Sequence, residues 1–170
     1  MITEGEIAID VSTAIHHFRL DEQHAARPQG MKLVDFVVEE AHRILLIEIK
    51  DPSDVGTTEK DRQQFTRKLQ THELVNADLT PKARDSYCYL HLMSKDKKPC
   101  LMVFLLGLES LTLEPALMLG LRDRLLQRIR HESDVPWTRA YVSDCIVVGI
   151  DGWNKAFPNF PAIRQAAAGA

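Results

Sequence analysis

Three ionisable side chains lie in or next to two apolar segments of this 170-residue chain, where charged groups are unusual. Asp35 lies within the apolar segment 33–38, whereas Glu48 and Lys50 lie at the end of the second one, 44–49. Both segments are rich in Leu, Ile and Val, and a short polar segment separates them. This pattern is typical of two strands joined in an antiparallel hairpin.

The hairpin predicts where the two acids lie relative to each other. If its turn centres between Ala41 and His42, Asp35 is directly opposite Glu48. Directly opposed residues have Cβ atoms about 4.5–5.5 Å apart. Because side chains alternate along a strand, Lys50 shares the face of Glu48. A shift of one residue in the register would separate the acids.

Such a pair of acids needs a compensating positive charge. Two carboxylates at this distance repel each other by roughly 3–4 kcal/mol at an effective dielectric of about 20. Lys50 offsets part of this repulsion, and a divalent cation would offset more, because two carboxylates and several waters form a typical magnesium site. The pattern Glu-x-Lys is also common on strands without any chemistry. The residues alone therefore indicate either a metal site or a structural ion-pair cluster.

The segment Val34-Asp35, followed by Glu48-Ile49-Lys50, resembles the signature of the PD-(D/E)xK nuclease superfamily. The resemblance implies a restriction-endonuclease-like core and metal-dependent hydrolysis of phosphodiester bonds, in DNA more than in RNA. It further implies that Asp35, Glu48 and the backbone carbonyl of Ile49 bind Mg²⁺ or Mn²⁺. By the same resemblance Lys50 is the catalytic lysine that orients or activates the attacking water.

The chain departs from this superfamily in two places. Val34 replaces the proline of the signature. Many members also carry a further acid on a helix before the first core strand, whereas residues 5–20 here alternate like a bent strand or a loose hairpin. Glu4, Glu6 and Asp10 are the acids placed to substitute for it, and Glu6 is retained as an accessory candidate.

Two further sets of polar residues are candidates for substrate contact. Gln63 and Gln64 lie on the helix expected after the hairpin, where some members of the superfamily place a glutamine near the active site. Basic side chains that could contact phosphates lie beside these glutamines and on a later helix. They are Arg62, Arg67 and Lys68 in the first group, and Arg122, Arg124, Arg128 and Arg130 in the second. For both groups, an ordinary solvated helix surface is the alternative interpretation.

Composition excludes several classes of protein. The net charge is −3 and the isoelectric point is about 6.2, which excludes a strongly basic protein that coats nucleic acid. The three cysteines are widely spaced and predict no zinc site. No glycine-rich phosphate loop occurs. The apolar stretch 101–121 is interrupted by Glu109, Glu114 and Pro115, so no membrane span is predicted and the cytoplasm is the expected compartment. A homodimer is left open.

The remaining pattern predicts an α/β (α+β) fold in which one central mixed β-sheet is flanked by helices, and the whole chain, 1–170, is expected to form one domain. Both hairpin strands should be central, because they are apolar on both faces. The other predicted elements, in chain order, are a helix over 58–74, a helix capped by Thr80-Pro81 and running to about Met93, a strand over 100–106, a helix opened by Glu114-Pro115, a strand over 141–150, and an aromatic segment over 153–161 that packs on the sheet.

Three functional hypotheses follow from these residues. The preferred one is a metal-dependent nuclease that binds nucleic acid. The second is a nuclease fold that has lost catalysis and only binds a partner. The third is an unrelated α/β protein in which Asp35, Glu48 and Lys50 form a structural ion-pair cluster. An open cavity around these side chains would favour the first hypothesis, and a buried pair without a cavity would favour the third.

Overall fold

A computed structural model of the protein describes residues 1–21, 28, 30–109 and 115–165. The eight strands, in chain order, are β1 (Ile2–Glu4), β2 (Ile7–Ile9), β3 (His16–Arg19), β4 (Phe36–Glu39), β5 (Ile44–Lys50), β6 (Cys100–Leu106), β7 (Asp144–Gly149) and β8 (Ala162–Arg164). The helices are α1 (Glu59–Gln70), a π-helix (Leu74–Leu79), α2 (Thr80–Leu92), α3 (Pro115–Arg130) and α4 (Ile150–Ala156).

The larger sheet is mixed and has the strand order β3-β4-β5-β6-β7. Strands β3, β4 and β5 are antiparallel neighbours, whereas β5, β6 and β7 run parallel. The helical segment from α1 to α2 connects β5 to β6, as a parallel pair requires. The predicted α/β (α+β) class, with a mixed sheet flanked by helices, is therefore confirmed.

The five-stranded sheet separates two apolar cores. On one face, alternate residues of β5 and β6 pack against α1, the π-helix, α2 and α3. On the other face, the intervening residues pack against β1, β2 and α4. Strands β5 and β6 are apolar on both faces because both faces are covered. The prediction that the hairpin strands are central is confirmed.

A second sheet, which the sequence did not predict, has the order β1-β2-β8. The N-terminal segment is therefore not one bent strand. It contains a tight hairpin, in which Gly5 has a φ of 54°, and a separate strand, β3, in the larger sheet. A positive φ suits glycine because it has no Cβ. The aromatic segment packs over the sheet as predicted, with Trp153, Phe157 and Phe160 buried in the second core.

Several predicted boundaries are wrong by a few residues. The first helix ends at Gln70, before the predicted end at 74, because His72 has a φ of 61° and breaks the helical path. Thr80 is not an N-cap, because the π-helix continues directly into α2. The last predicted strand begins at Asp144 rather than at 141. Helix α3 begins at Pro115, and Glu114 lies outside the described residues.

Candidate active site

The two acids face each other across the antiparallel pair β4–β5. The register pairs Phe36 with Ile47 and Val37 with Leu46. Continued by one residue beyond the start of β4, the same register places Asp35 opposite Glu48. The predicted hairpin register is therefore present. It depends on a turn centred between residues 41 and 42, and on strands whose opposite faces enter different cores.

Both acids are buried on the helix-covered face of the sheet. Glu48 is fully inaccessible to solvent and Asp35 is 4% exposed. The amide N–H of Ile49 donates a hydrogen bond to Asp35 Oδ2 over 2.7 Å. This bond fixes the Asp35 carboxylate against the backbone of the strand that carries Glu48. A buried carboxylate requires such partners, because burial without them destabilises its ionised form.

Two lysines reach the Glu48 carboxylate from different elements. Lys50 Nζ lies 2.5 Å from Glu48 Oε1, on the face that strand alternation predicts. Lys82, in the first turn of α2, places its Nζ 2.6 and 2.7 Å from the two Glu48 oxygens. The same Nζ lies 3.6 Å from Asp35 Oδ1. We call these four residues the carboxylate–lysine cluster.

Lys82 is the residue that the sequence did not reveal. It is 34 positions away from Glu48 and belongs to no linear motif with it. The available signal was indirect: α2 was predicted to follow the hairpin, and a basic residue in its first turn could face a buried acid. Only the packing of α2 on this face of the sheet brings the Lys82 ammonium between the two carboxylates.

Burial and the neighbouring charges act in opposite directions on these groups. Burial raises the pKa of Glu48 to about 7, and the negative charge of Asp35 adds to this rise, whereas Lys50 and Lys82 oppose it. Burial works against ionisation of Lys50, yet the Glu48 carboxylate raises the pKa of Lys50 above its ordinary value. Repulsion by Asp35 contributes to the raised pKa of Glu48, but the larger cause is desolvation.

The raised pKa of Glu48 predicts an unusual dependence of stability on pH in the metal-free protein. Since the native pKa of about 7 lies above the ordinary value of 4.5, the folded state binds the proton more tightly. The stabilisation is complete below pH 4.5 and is lost as the pH rises through 7. Relative to Glu48→Gln, the parent should lose about 2–3 kcal/mol of unfolding free energy over this window.

Urea denaturation of the parent and of Glu48→Gln, in a chelating buffer at pH 5 and at pH 8, measures this loss. The substitution removes the titrating group at nearly constant volume, so titrations remote from the cluster cancel in the difference between the two proteins. A difference that stays constant between the two pH values would show that Glu48 titrates near its ordinary pKa.

Of the three N-terminal acids, Glu4 is the one whose pKa is affected by the charge of Asp35. Burial raises the pKa of Glu4, and the charge of Asp35 is the next largest cause. Its carboxylate pairs with Arg19 at 2.5 Å. Asp10 accepts a hydrogen bond from the Ser12 amide on the exposed surface.

Glu6, the retained accessory candidate, takes part in a different group of charges. Its carboxylate pairs with Arg164 over 2.8 Å. Carboxylate oxygens of Glu6, Asp51 and Asp54 lie within 4.8 Å of one another, a spacing that could hold a metal ion. Arg164 also contacts Asp51, at 2.8 Å, so an arginine already compensates this acidic group.

The candidate residues on α1 do not join the cluster. Gln63 is exposed and donates a hydrogen bond to Glu59, and Gln64 is also exposed. Arg62 donates to the carbonyl of Pro52, and Arg67 pairs with Glu73. Lys68 is half-buried on the same helix. Within the described part of the chain, no hydrogen bond or ion pair joins any of these five side chains to Asp35 or Glu48.

Solvent reaches the carboxylate–lysine cluster through its lysines. The side chain of Lys50 is 32% exposed and that of Lys82 is 15% exposed, while the acids lie beneath them. Four cavities of about 250–510 Å³ occur elsewhere and are lined by other residues. The two acids are thus nearly closed off from solvent by the two lysines.

The chain matches no protein-family model, no curated protein and no solved structure. Within the residues that the structure describes, no helix combines the length and apolar character needed to cross a membrane.

Proposed function

We propose that this protein is a metal-dependent nuclease that hydrolyses phosphodiester bonds at the carboxylate–lysine cluster. Asp35 and Glu48 are the proposed metal ligands together with the backbone carbonyl of Ile49, and Lys50 is the proposed catalytic lysine. Mg²⁺ or Mn²⁺ is the proposed cofactor. The proposed substrate is DNA in preference to RNA, and the proposed compartment is the cytoplasm. The observation that carries this proposal is the position of the Lys82 ammonium, which lies between two buried, opposed carboxylates.

The donor set fits a divalent cation. The Lys82 ammonium occupies a position within 2.7 Å of both Glu48 oxygens and 3.6 Å of an Asp35 oxygen. A positive charge is therefore stable at the point where the two carboxylates converge. Carboxylate and carbonyl oxygens are the hard ligands that Mg²⁺ prefers, usually with several waters retained. Binding the metal at this position requires Lys82 to move away from Glu48.

The side chains divide the chemistry among themselves. A bound divalent metal supplies Lewis-acid activation of water and neutralises charge on the phosphate. Lys50 stays protonated at neutral pH, because the Glu48 carboxylate raises its pKa. Its Nζ therefore acts as a hydrogen-bond donor that orients the water and stabilises negative charge. The Ile49 N–H holds Asp35 in the ligating orientation, and this preorganisation favours the transition state.

The order of elements adds support for the nuclease resemblance. The acids lie on an antiparallel pair, and the second of these strands continues through helices into a parallel neighbour, β6. This arrangement is similar to the core that the PD-(D/E)xK resemblance implies.

A structural ion-pair cluster is the second candidate, and burial favours it. Two acids and two lysines neutralise each other formally, with Glu48 inaccessible to solvent. In that case no metal is needed to stabilise the acids. A nuclease fold that only binds a partner is the third candidate. Glu4, whose pKa is raised in part by the charge of Asp35, is already paired with Arg19, so it does not complete the metal site as a third acid.

The nuclease proposal is tested by incubating the purified chain with end-labelled single- and double-stranded DNA and RNA. The expected result is cleavage of at least one substrate with Mg²⁺ or Mn²⁺ and none with EDTA. Asp35→Asn should remove this activity, and Asp54→Asn, which changes the separate acidic group, should retain it. Metal-dependent cleavage that survives Asp35→Asn would assign the activity to another site or to a contaminant.

Removing the ammonium of Lys82 should tighten metal binding. In Lys82→Gln the metal no longer competes with an ammonium for Glu48, and hydrogen bonds to charged groups contribute about 1.5–3 kcal/mol. We therefore expect Mn²⁺ to bind about 10- to 100-fold more tightly than to the parent. Isothermal titration calorimetry measures the change, with Lys60→Gln, an exposed lysine on α1, as the charge-matched control.

Equal Mn²⁺ affinities in the parent and Lys82→Gln would show that Lys82 does not occupy the metal position. If neither protein bound Mn²⁺ at millimolar concentration, the structural ion-pair cluster would be favoured instead.

A further inference from the structure

We infer that the groove between the π-helix and α3 binds phosphate groups of a nucleic-acid backbone. The groove has a volume of about 250 Å³, and its polar lining consists of His72, Asn76, Arg124, Gln127, Arg128 and His131. The choice of nucleic acid rather than free phosphate as the ligand rests on the proposed nuclease function. The affinity for phosphate oxygens follows from the groove itself.

The lining of this groove is basic and contains no acidic residue. Arg124 and Arg128 are one helical turn apart on α3, so both guanidinium groups project from the same face. Two imidazoles and two side-chain amides add further potential N–H donors. The protein as a whole carries a net charge of −3, so this positive groove is a local feature.

The acids nearest in sequence do not neutralise the groove, because each is paired elsewhere. Glu73 pairs with Arg67 at 3.0 Å, and Asp123 pairs with Arg122 at 3.1 Å. Glu132 pairs with Arg84 at 2.5 Å and also accepts a hydrogen bond from Tyr141. The positive charge of the two groove arginines is therefore left for an external anion.

Among the described residues, the two groove arginines have a single hydrogen-bond acceptor between them, the carbonyl of His131. Arg124 makes no hydrogen bond or ion pair with any described residue, and its Nε is shielded from water without a partner. The Nε of Arg128 is likewise unpartnered, and its Nη1 donates only to the backbone carbonyl of His131, at 3.2 Å. A guanidinium fork matches the geometry of phosphate oxygens, so the outer Nη groups of the two arginines would donate to an incoming phosphate.

The backbone on the other side of the groove is held in an uncommon conformation. His72 has a φ of 61°, a region that residues other than glycine rarely adopt. The turn is closed by the backbone N–H of Asn76, which donates a hydrogen bond to the His72 carbonyl over 3.0 Å. The π-helix follows at once, and π-helical turns are frequent at functional sites. This strained turn places His72 and Asn76 opposite the two arginines.

The groove is connected to the carboxylate–lysine cluster by a single helical segment. Asn76 lines the groove, the charge of Asp78 acts on Lys50, and Lys82 contacts both acids. Asn76 and Lys82 are six residues apart along this segment, in which the π-helix continues directly into α2. One strand of nucleic acid is long enough to reach both the groove and the cluster.

Binding in the absence of metal tests this inference separately from cleavage. Fluorescence anisotropy with labelled DNA and RNA oligonucleotides in EDTA measures affinity for the parent and for Arg124→Gln/Arg128→Gln. We expect at least about a tenfold loss of affinity and a decrease of about 2 in the slope of log affinity against log salt. Lys97→Gln/Lys155→Gln, which removes two exposed charges elsewhere, should bind like the parent.

Three results would overturn the inference. Equal affinities in the parent and the arginine variant would exclude the groove as a backbone site. The same holds for Arg124→Glu, a single change that keeps the test valid if the double variant fails to fold. Inorganic phosphate that shifts the NMR amide signals of the groove, without any effect of the variants on oligonucleotide binding, would assign a small-anion site instead. If the arginine variant lost oligonucleotide binding while the parent cleaved no substrate, the groove would remain a phosphate site and the nuclease proposal would be rejected.

Discussion

Glu48→Gln should abolish the stabilisation of this protein by manganese. In the parent, a metal that binds only the native state adds about 2.7 kcal/mol to the unfolding free energy at one hundred times its dissociation constant. Glutamine keeps the shape of the side chain but removes its charge, so the cation loses one of its two carboxylates. Thermal melts with and without Mn²⁺ measure the difference, and the metal-dependent shift should vanish in the variant.

Asp54→Asn is the matched control for this experiment, because Asp54 belongs to the other group of acids that could hold a metal. It should retain the full manganese shift of the parent. The opposite pattern, in which Asp54→Asn loses the shift and Glu48→Gln keeps it, would move the metal site to Glu6, Asp51 and Asp54. A parent protein that shows no shift at millimolar Mn²⁺ would contradict metal binding at either group.

Lys50→Ala should separate catalysis from metal binding. The Lys50 ammonium touches Glu48 and repels an incoming cation, so its removal should leave Mn²⁺ affinity unchanged or tighter. Cleavage should fall by about 10²- to 10³-fold, the usual contribution of one hydrogen-bond donor that is positioned to stabilise the transition state. Single-turnover cleavage of an end-labelled oligonucleotide at saturating Mn²⁺, together with calorimetric titration of the metal, measures the two effects independently.

A structural ion-pair cluster predicts a different result for the same variant. Lys50→Ala would then destabilise the fold, because a buried acid loses a partner. The loss would be smaller than for a simple pair, since Lys82 still contacts both oxygens of Glu48. Destabilisation in urea with no change in Mn²⁺ binding and no metal-dependent cleavage in the parent would therefore favour the structural role.

The hairpin and its acids could be predicted because their determinants are local. Two apolar strands and a short turn define one register, and a shift by one residue would place Glu48 on the opposite face, in the other apolar core. The positions of Asp35, Glu48 and Lys50 follow from that register alone. The helices α1, α2 and α3 follow from their local patterns in the same way, to within a few residues.

The other determinants of the site are non-local and leave no pattern in the sequence. Lys82 meets Glu48 only because α2 packs on the helix-covered face of the sheet. The strained turn at His72 interrupts what looks like one continuous helix. Strand β8 is three residues long and pairs with β2 from the far end of the chain. Such contacts depend on tertiary packing, which overrides local propensity.

Crystals grown with manganese chloride would show whether Asp35 and Glu48 share a divalent cation. The nuclease proposal predicts an anomalous peak at about 2.1 Å from one oxygen of each carboxylate, close to the distance typical of small divalent cations. Lys82 Nζ should then lie away from Glu48, outside the hydrogen-bond distance that it has now. A peak only among Glu6, Asp51 and Asp54, or Lys82 still bound to both Glu48 oxygens with no peak beside them, would contradict the proposed metal site.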